Sequence, residues 1–206
     1  MGFCLGLNAQ TGEGRIADDV YYLLPEFTGG VVYFQDRPPA PGLLNICAAD
    51  NTLRFKDADG QELVADSLDE IIMVKIGPVN FIHNKDGFFR KYPVTANKGV
   101  AYQRNLRIHQ GAKRGAYGTI DQTSSIKQYS SLLGDGGMYK LSNEVPYEVE
   151  EDLALYIGNT VMPFNKKSLR KMFPERTDEI NAWFRSSRVM PRTVEEAQEL
   201  LSQWAD

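Results

Sequence analysis

The 206-residue sequence predicts an α+β fold, with an antiparallel β-rich domain over residues 20–164 and a C-terminal cap of three short helices over residues 165–206 packed on the same domain. Three observations carry this. Between residues 21 and 108, short apolar runs recur between groups of Gly, Asp, Asn and Pro, the texture of strands joined by tight turns and not of βαβ units. After Asn165 the apolar residues switch to a three-and-four spacing, which collects them on one stripe of a helix. Ten Tyr, ten Phe and two Trp supply a core. A chain of this length buries roughly two-thirds or more of its unfolded surface, so it needs no disulfide or metal to fold.

In order along the chain, the first clear strand is the run at residues 30–34. Residues 36–41 contain three prolines and read as a loop before the next run at residues 43–47. Residues 52–55 and 62–65 flank Asp57, Ala58, Asp59 and Gly60, a hairpin turn by composition. Residues 71–76 are apolar on both faces and read as a central strand. Gly77 and Pro78 end it, residues 79–83 follow, and Asn84 to Gly87 supply another hairpin turn leading to residues 88–94. Residues 100–108 close the regular stretch. Residues 111–137, rich in Gly, Ser, Thr and Gln, read as a long flexible loop. Strand character returns at residues 139–141, 147–149, 153–157 and 160–164. A meander, a small sandwich and a partly open barrel all fit this pattern.

The helical cap is marked by local signals as well as by period. Leu169, Met172 and Phe173 form the first stripe, Ile180, Trp183 and Phe184 the second, and Ala197, Leu200, Leu201 and Trp204 the third. Asn165 suits the N-cap of the first helix, and Pro174 the first turn of the second. Thr193, Val194, Glu195 and Glu196 read as a capping box ahead of the third.

Composition bounds the function. The net charge of −4 does not by itself favour a nucleic-acid partner, which stays an alternative only through the basic residues 90–114, and no apolar run is long enough to cross a membrane as a helix. Cys4 and Cys47 form neither a disulfide framework nor a zinc site. With His83 and His109 as the two histidines, a metal centre would have to be completed by carboxylates, and neither has a ligand-type partner at helical or strand spacing. No cofactor is expected. Gly12, Gly14 and Ala17 match the dinucleotide pattern but follow no strand and open no helix. Asp57, Asp59 and Glu62 fall short of a calcium loop. Residues 1–10 read as the end of a signal peptide, with cleavage after Ala9, whose basic start lies upstream of Met1. That favours an exported protein, periplasmic or in the cell envelope, over a cytoplasmic one.

The charge layout is the most informative feature for function. Between Gly87 and Ile120 there is no acidic residue, whereas Arg90, Lys91, Lys98, Arg104, Arg107, Lys113 and Arg114 are basic and Tyr92, Tyr102 and Tyr117 lie among them. Basic residues interleaved with aromatics bind anionic polymers. The candidate ligand-binding set is therefore Arg90, Lys91, Tyr102, Arg104, Arg107, Lys113, Arg114 and Tyr117, with an anionic glycan or an envelope protein as the partner. Alternation along a strand puts Tyr102 and Arg107 on opposite faces, so the set cannot share one face. The competing reading is that these charges are solvated and balance the acidic stretch at residues 57–70. Glu148, Glu150, Glu151 and Asp152 read as an acidic strand end facing solvent. No catalytic residues are identified. The enzymatic alternative, a hydrolase or lyase, would need Asp69 or Glu70 to meet Glu148 or Glu150 in three dimensions.

Several segments together carry a resemblance. They are Phe27, Thr28, Gly29, Gly30, Val31, Val32, Tyr33 and Phe34 with Leu44 and Asn45; Leu53, Arg54 and Phe55 through Gly60 to Ile76, Gly77 and Phe81; and Lys166 and Lys167 through Met172, Phe173 and Pro174. Gly115, Ala116, Tyr117 and Gly118, and Tyr129, Ser130 and Ser131, fit as well. The chain resembles an uncharacterised family of small exported proteins of Bacteroidota-type bacteria, in which a β-rich body precedes a lysine-rich, Phe-Pro-containing helical tail. It departs from that pattern at the prolines of residues 36–41 and at its short N-terminus. The resemblance implies export, is silent on activity and carries over no catalytic residue. With no catalytic motif in the sequence, the reading is a non-enzymatic binding or structural module.

Overall fold

The computed structural model describes residues 18–108, 147–186 and 189–205. Within them, ten strands form one open antiparallel sheet: β1 (Thr28–Phe34), β2 (Ala40–Ile46), β3 (Leu53–Lys56), β4 (Glu62–Val64), β5 (Ile71–Ile76), β6 (Val79–Asn84), β7 (Gly87–Pro93), β8 (Lys98–Ile108), β9 (Tyr147–Ile157) and β10 (Thr160–Pro163). The spatial order is β10-β9-β8-β7-β6-β5-β1-β2-β3-β4. It is therefore two meanders joined where β5 returns to pair with the free side of β1. Four helices accompany the sheet: α1 (Asp18–Tyr21), α2 (Lys166–Met172), α3 (Thr177–Ser186) and α4 (Val194–Ser202).

The expected turns form where the sequence placed them. Asp57 Oδ1 accepts from the backbone N–H of Asp59 and of Gln61, at 3.0 and 2.8 Å, and so closes the β3–β4 hairpin. At the β6–β7 turn Gly87 has φ +112°, and a Cβ there would lie 2.8 Å from both Asn51 Oδ1 and Gln103 Nε2. The proline-rich stretch is a shorter loop than the sequence implies, because Ala40 and Pro41 already belong to β2. Pro41 pairs with Val31 but lies beyond the part of β2 that β3 covers, so it sits on a sheet edge, where a missing N–H is tolerated. β5 lies near the sheet centre as expected, but it is buried on one face only, with Ile72 37% exposed. The chain around Tyr21 is a short helical turn, followed by a bridge between Tyr22 and Cys47 that extends the β2 edge.

Successive pairings place Val32, Val74, Phe81, Arg90, Tyr102 and Leu153 in one row across β1, β5, β6, β7, β8 and β9, on one face. At its β1 end the row belongs to a core of Val32, Leu44, Ile46, Leu53, Ile71, Val74, Ile76, Phe81 and Phe88. The neighbouring row, Tyr92, Val100, Leu155 and Met162, belongs to a second core, which the helices cover with Leu169, Met172, Phe173, Ile180, Ala197, Leu200, Leu201 and Trp204. Each fully buried apolar side chain of that size contributes about 1.5–3 kcal/mol, so the cap is held by packing and not by helix propensity. The reverse face carries a smaller core of Ile82, Phe89, Ala101, Ala154 and Tyr156, with Val161 packed against it from β10.

The caps behave as their residues dictate. Asn165 accepts from Ser168 N at 2.9 Å and starts α2. Pro174 opens a single 3-10 turn ahead of α3. Thr193 accepts from Glu196 N at 3.2 Å, while Glu196 reaches back one residue further than a capping box requires, to the N–H of Arg192.

Candidate functional site

Between the two cores of the main face lies a cleft of about 400 Å³. Its floor is the middle of the row, where Phe81, Arg90, Tyr102 and Leu153 stand side by side, with Tyr92, Arg104 and Glu151 in the adjacent rows. One wall is the start of α4, with Arg192, Thr193, Val194 and Glu195; another is Leu23 of the N-terminal segment. The helix is docked by Gln198, whose Nε2 donates to Pro93 O at 3.0 Å.

The N-terminal wall is fixed at several points. Leu23 N donates to Ile46 O and Ala48 N to Tyr21 O, at 2.9 and 2.8 Å. The buried Asn45 amide brackets Leu24, accepting from its N–H at 3.2 Å and donating to its carbonyl at 2.9 Å. From the opposite side Arg104 donates to the carbonyls of Asp19 and Val20, at 2.8 and 3.3 Å. Arg104 is thus a clamp on the wall as well as part of the lining.

Inside the cleft, the Tyr102 hydroxyl donates to Glu151 Oε1 at 2.5 Å. Burial, and then this carboxylate, push the Tyr102 phenol above its ordinary range, so it stays protonated and the donor role is fixed. The rings of Tyr92 and Tyr102 meet edge to face at 6.2 Å, and the Arg90 guanidinium lies over the Tyr92 ring at 4.9 Å. Apart from that ring, Arg90 has no hydrogen-bond or ion-pair partner among the described residues.

Of the candidate ligand-binding residues, the fold brings Arg90, Tyr102 and Arg104 together in the cleft. It sends Lys91 and Arg107 to the reverse face, as alternation requires. There Lys91 Nζ donates to Gly158 O at 3.0 Å above the Tyr156 ring, and burial lowers its pKa. Arg107 pairs with Glu150 at 2.9 Å. Lys113, Arg114 and Tyr117 lie outside the described residues, as do residues 1–10, the Gly12 to Ala17 pattern, His109, the loop at residues 111–137 and the strand expected at residues 139–141. The acidic run faces solvent as expected, with Glu148, Glu151 and Asp152 exposed, and occupies the first half of β9; it is this strand, not residues 57–70, that stands opposite the basic residues of β8. Asp69 and Glu70 precede β5, which three strands separate from β9 in the sheet order, and Glu70 is held by Arg37 at 3.1 Å. His83 is a packing residue, against the Phe88 ring at 4.4 Å and Ile71 O at 3.3 Å; burial lowers its pKa.

Sequence reasoning missed two things. Tyr92 was visible among the basic residues, but Leu23, Phe81, Leu153 and the α4 residues give no local sign that they share a cleft. Nor did it reveal the buried ionic cluster behind the N-terminal wall. Arg54 is 1% exposed and donates to Asp50, and through Nε to Thr52 Oγ1 at 2.8 Å; Glu62 lies 3.6 Å from it. Tyr22 donates to Glu62 at 2.6 Å. Burial works most strongly against the Arg54 cation, but Asp50 and the other groups around it together offset this, and the net effect holds its pKa above the ordinary value. Cys47, fully buried beside them, is pushed up to about 12 by burial and by Asp50, which makes it a packed thiol and not a nucleophile.

Comparison with protein-family models, with curated proteins and with solved structures returned no match. The cleft is thus read from its own chemistry.

Proposed function

We propose that this is a non-enzymatic binding module, exported to the cell envelope, that takes a small ligand into the cleft between the sheet and α4. The observation that carries the reading is the interruption of the core-face row. Val32, Val74 and Phe81 are buried, whereas Arg90, Tyr102 and Leu153 in the same row are half-buried and line the cleft between two well-filled cores. A concavity of about 400 Å³ has the size of a small-molecule site, and its lining is mainly polar, with Arg90, Arg104, Glu151, Arg192 and Glu195 beside Leu23, Phe81 and Leu153. Its polar groups serve binding better than proton transfer, since Tyr102 is tied to Glu151 and Arg104 to backbone carbonyls. Export is supported by the apolar-then-small N-terminal residues and by the resemblance to small exported proteins.

Ligand-observed NMR with a broad panel of small molecules tests the site. Binding should be found and should be lost in Leu153→Trp, which fills the floor of the cleft, provided that variant keeps the melting temperature of the parent. Binders indifferent to Leu153→Trp would overturn the cleft reading, and catalytic turnover of a panel member would overturn the non-enzymatic one. Fractionation of the producing cells tests export, which fails if the protein stays with the cytoplasmic markers.

A further inference from the structure

We propose that the cleft selects a small carboxylate, borne by a sugar or an aromatic ring, and that Arg90 takes its charge. This rests on the reading of the cleft as the binding site and adds the chemical class of its ligand.

Arg90 stands in its row between the buried Phe81 and the half-buried Tyr102, where the core face opens into the cleft. A half-buried cation loses part of its hydration and gains from an anionic partner. Among the described residues, Arg54 has Asp50, Arg104 has two backbone carbonyls, Arg107 has Glu150 and Lys91 has the Gly158 carbonyl, whereas Lys98 lies over the Phe173 ring outside the cleft. Within the cleft, Arg90 has the Tyr92 ring and no oxygen partner among the described residues. A ring contact takes up no N–H donor by hydrogen bonding, and the guanidinium fork fits a carboxylate with two parallel hydrogen bonds.

The body of the ligand follows from the walls beside Arg90. Tyr92, Tyr102 and Leu153 present ring edges and apolar surface, and about 400 Å³ admits a substituted ring but not an extended polymer. The anionic-polymer partner expected from the charge run is thus narrowed to a single acidic unit, free or at a chain end.

The test compares two acids, glucuronate and benzoate, with the neutral partners methyl glucoside and benzamide, by titration against the full chain. The proteins are the parent, Arg90→Gln, Arg107→Gln and Leu153→Trp. In the parent at least one acid should bind about tenfold or more tightly than its neutral partner, the effect of one charge-assisted contact. Arg90→Gln should erase that preference, and Arg107→Gln, altered on the reverse face, should keep it. Two results would overturn the proposal while leaving the cleft as a binding site: equal binding of acid and neutral partner that Leu153→Trp abolishes, or an acid preference that survives Arg90→Gln. Binding of none of the four molecules overturns the ligand class and leaves the cleft itself to the broader panel. Acid binding that persists in Leu153→Trp overturns both.

Discussion

Replacing Asp50 by Asn should destabilise the protein by about 3 kcal/mol. The substitution keeps the size of the side chain and removes the charge beside Arg54. The guanidinium is 1% exposed, so it cannot recover the loss from water. Breaking a buried pair by removing one partner costs about 3–5 kcal/mol, because the other charge is left in a poorly polarisable site. The lower end applies here, since Glu62 remains within 3.6 Å and Thr52 Oγ1 still accepts from Nε. For a chain of this length that loss lowers the melting temperature by roughly 6–12 °C. The assay is thermal unfolding followed by circular dichroism, run beside Arg54→Met and the double variant. Because the two residues are in contact, the double variant should lose less than the sum of the singles, by about 1–3 kcal/mol. A melting temperature for Asp50→Asn within about a degree of the parent, or strictly additive losses, would refute the view that the cluster is a closed ionic unit.

Two further outcomes are expected. Cys47, pushed up to about 12 from 9.0, and Tyr21, Tyr22 and Tyr102, all raised above 10.0 chiefly by burial, hold their protons more tightly folded than unfolded. Their contribution to stability is complete below the unfolded pKa and is lost as pH rises toward the folded one, so denaturant midpoints should fall from about pH 9 upward. Flat midpoints across the range in which tyrosinate absorbance grows would contradict this. Removing Asn165 and everything after it should expose Val100, Leu155 and Met162 on the sheet and cause aggregation. A truncated body that stays soluble and unfolds cooperatively would show that the helices do not close the core.

The helices were the most legible part of the fold, because their residues signal locally. The period of Leu169, Met172 and Phe173, the N-cap residues Asn165 and Thr193, and Pro174 all act within a turn or two of where they stand. The hairpins were legible for the same reason: Asp57 and Gly87 carry their turn chemistry in themselves. The join between β5 and β1 was not, since pairing strands with three others between them in sequence leaves no local trace. Nor was the burial of Arg54. In the sequence it looks like an ordinary charged residue of a short strand, and only the return of Asp50 and Glu62 around it makes a buried cation tolerable.

The cleft shows the same division between local and distant information. The charge run from residue 87 onward was visible, and the period of two predicted that it would split between faces, as it does for Arg90, Tyr102 and Arg104 against Lys91 and Arg107. What no local pattern could give was register. Had β7 slipped by one residue, Lys91 would face the cleft and Arg90 would lie over the reverse-face core, beside Tyr156. Register here is fixed by the β6–β7 turn at Gly87, whose strained φ excludes ordinary side chains, and by Phe88 and Phe89, each buried in a different core. Those two phenylalanines leave Arg90 no choice of face. The cation in the middle of the core row is therefore imposed by the packing on either side of it, and the fold leaves it facing the cleft.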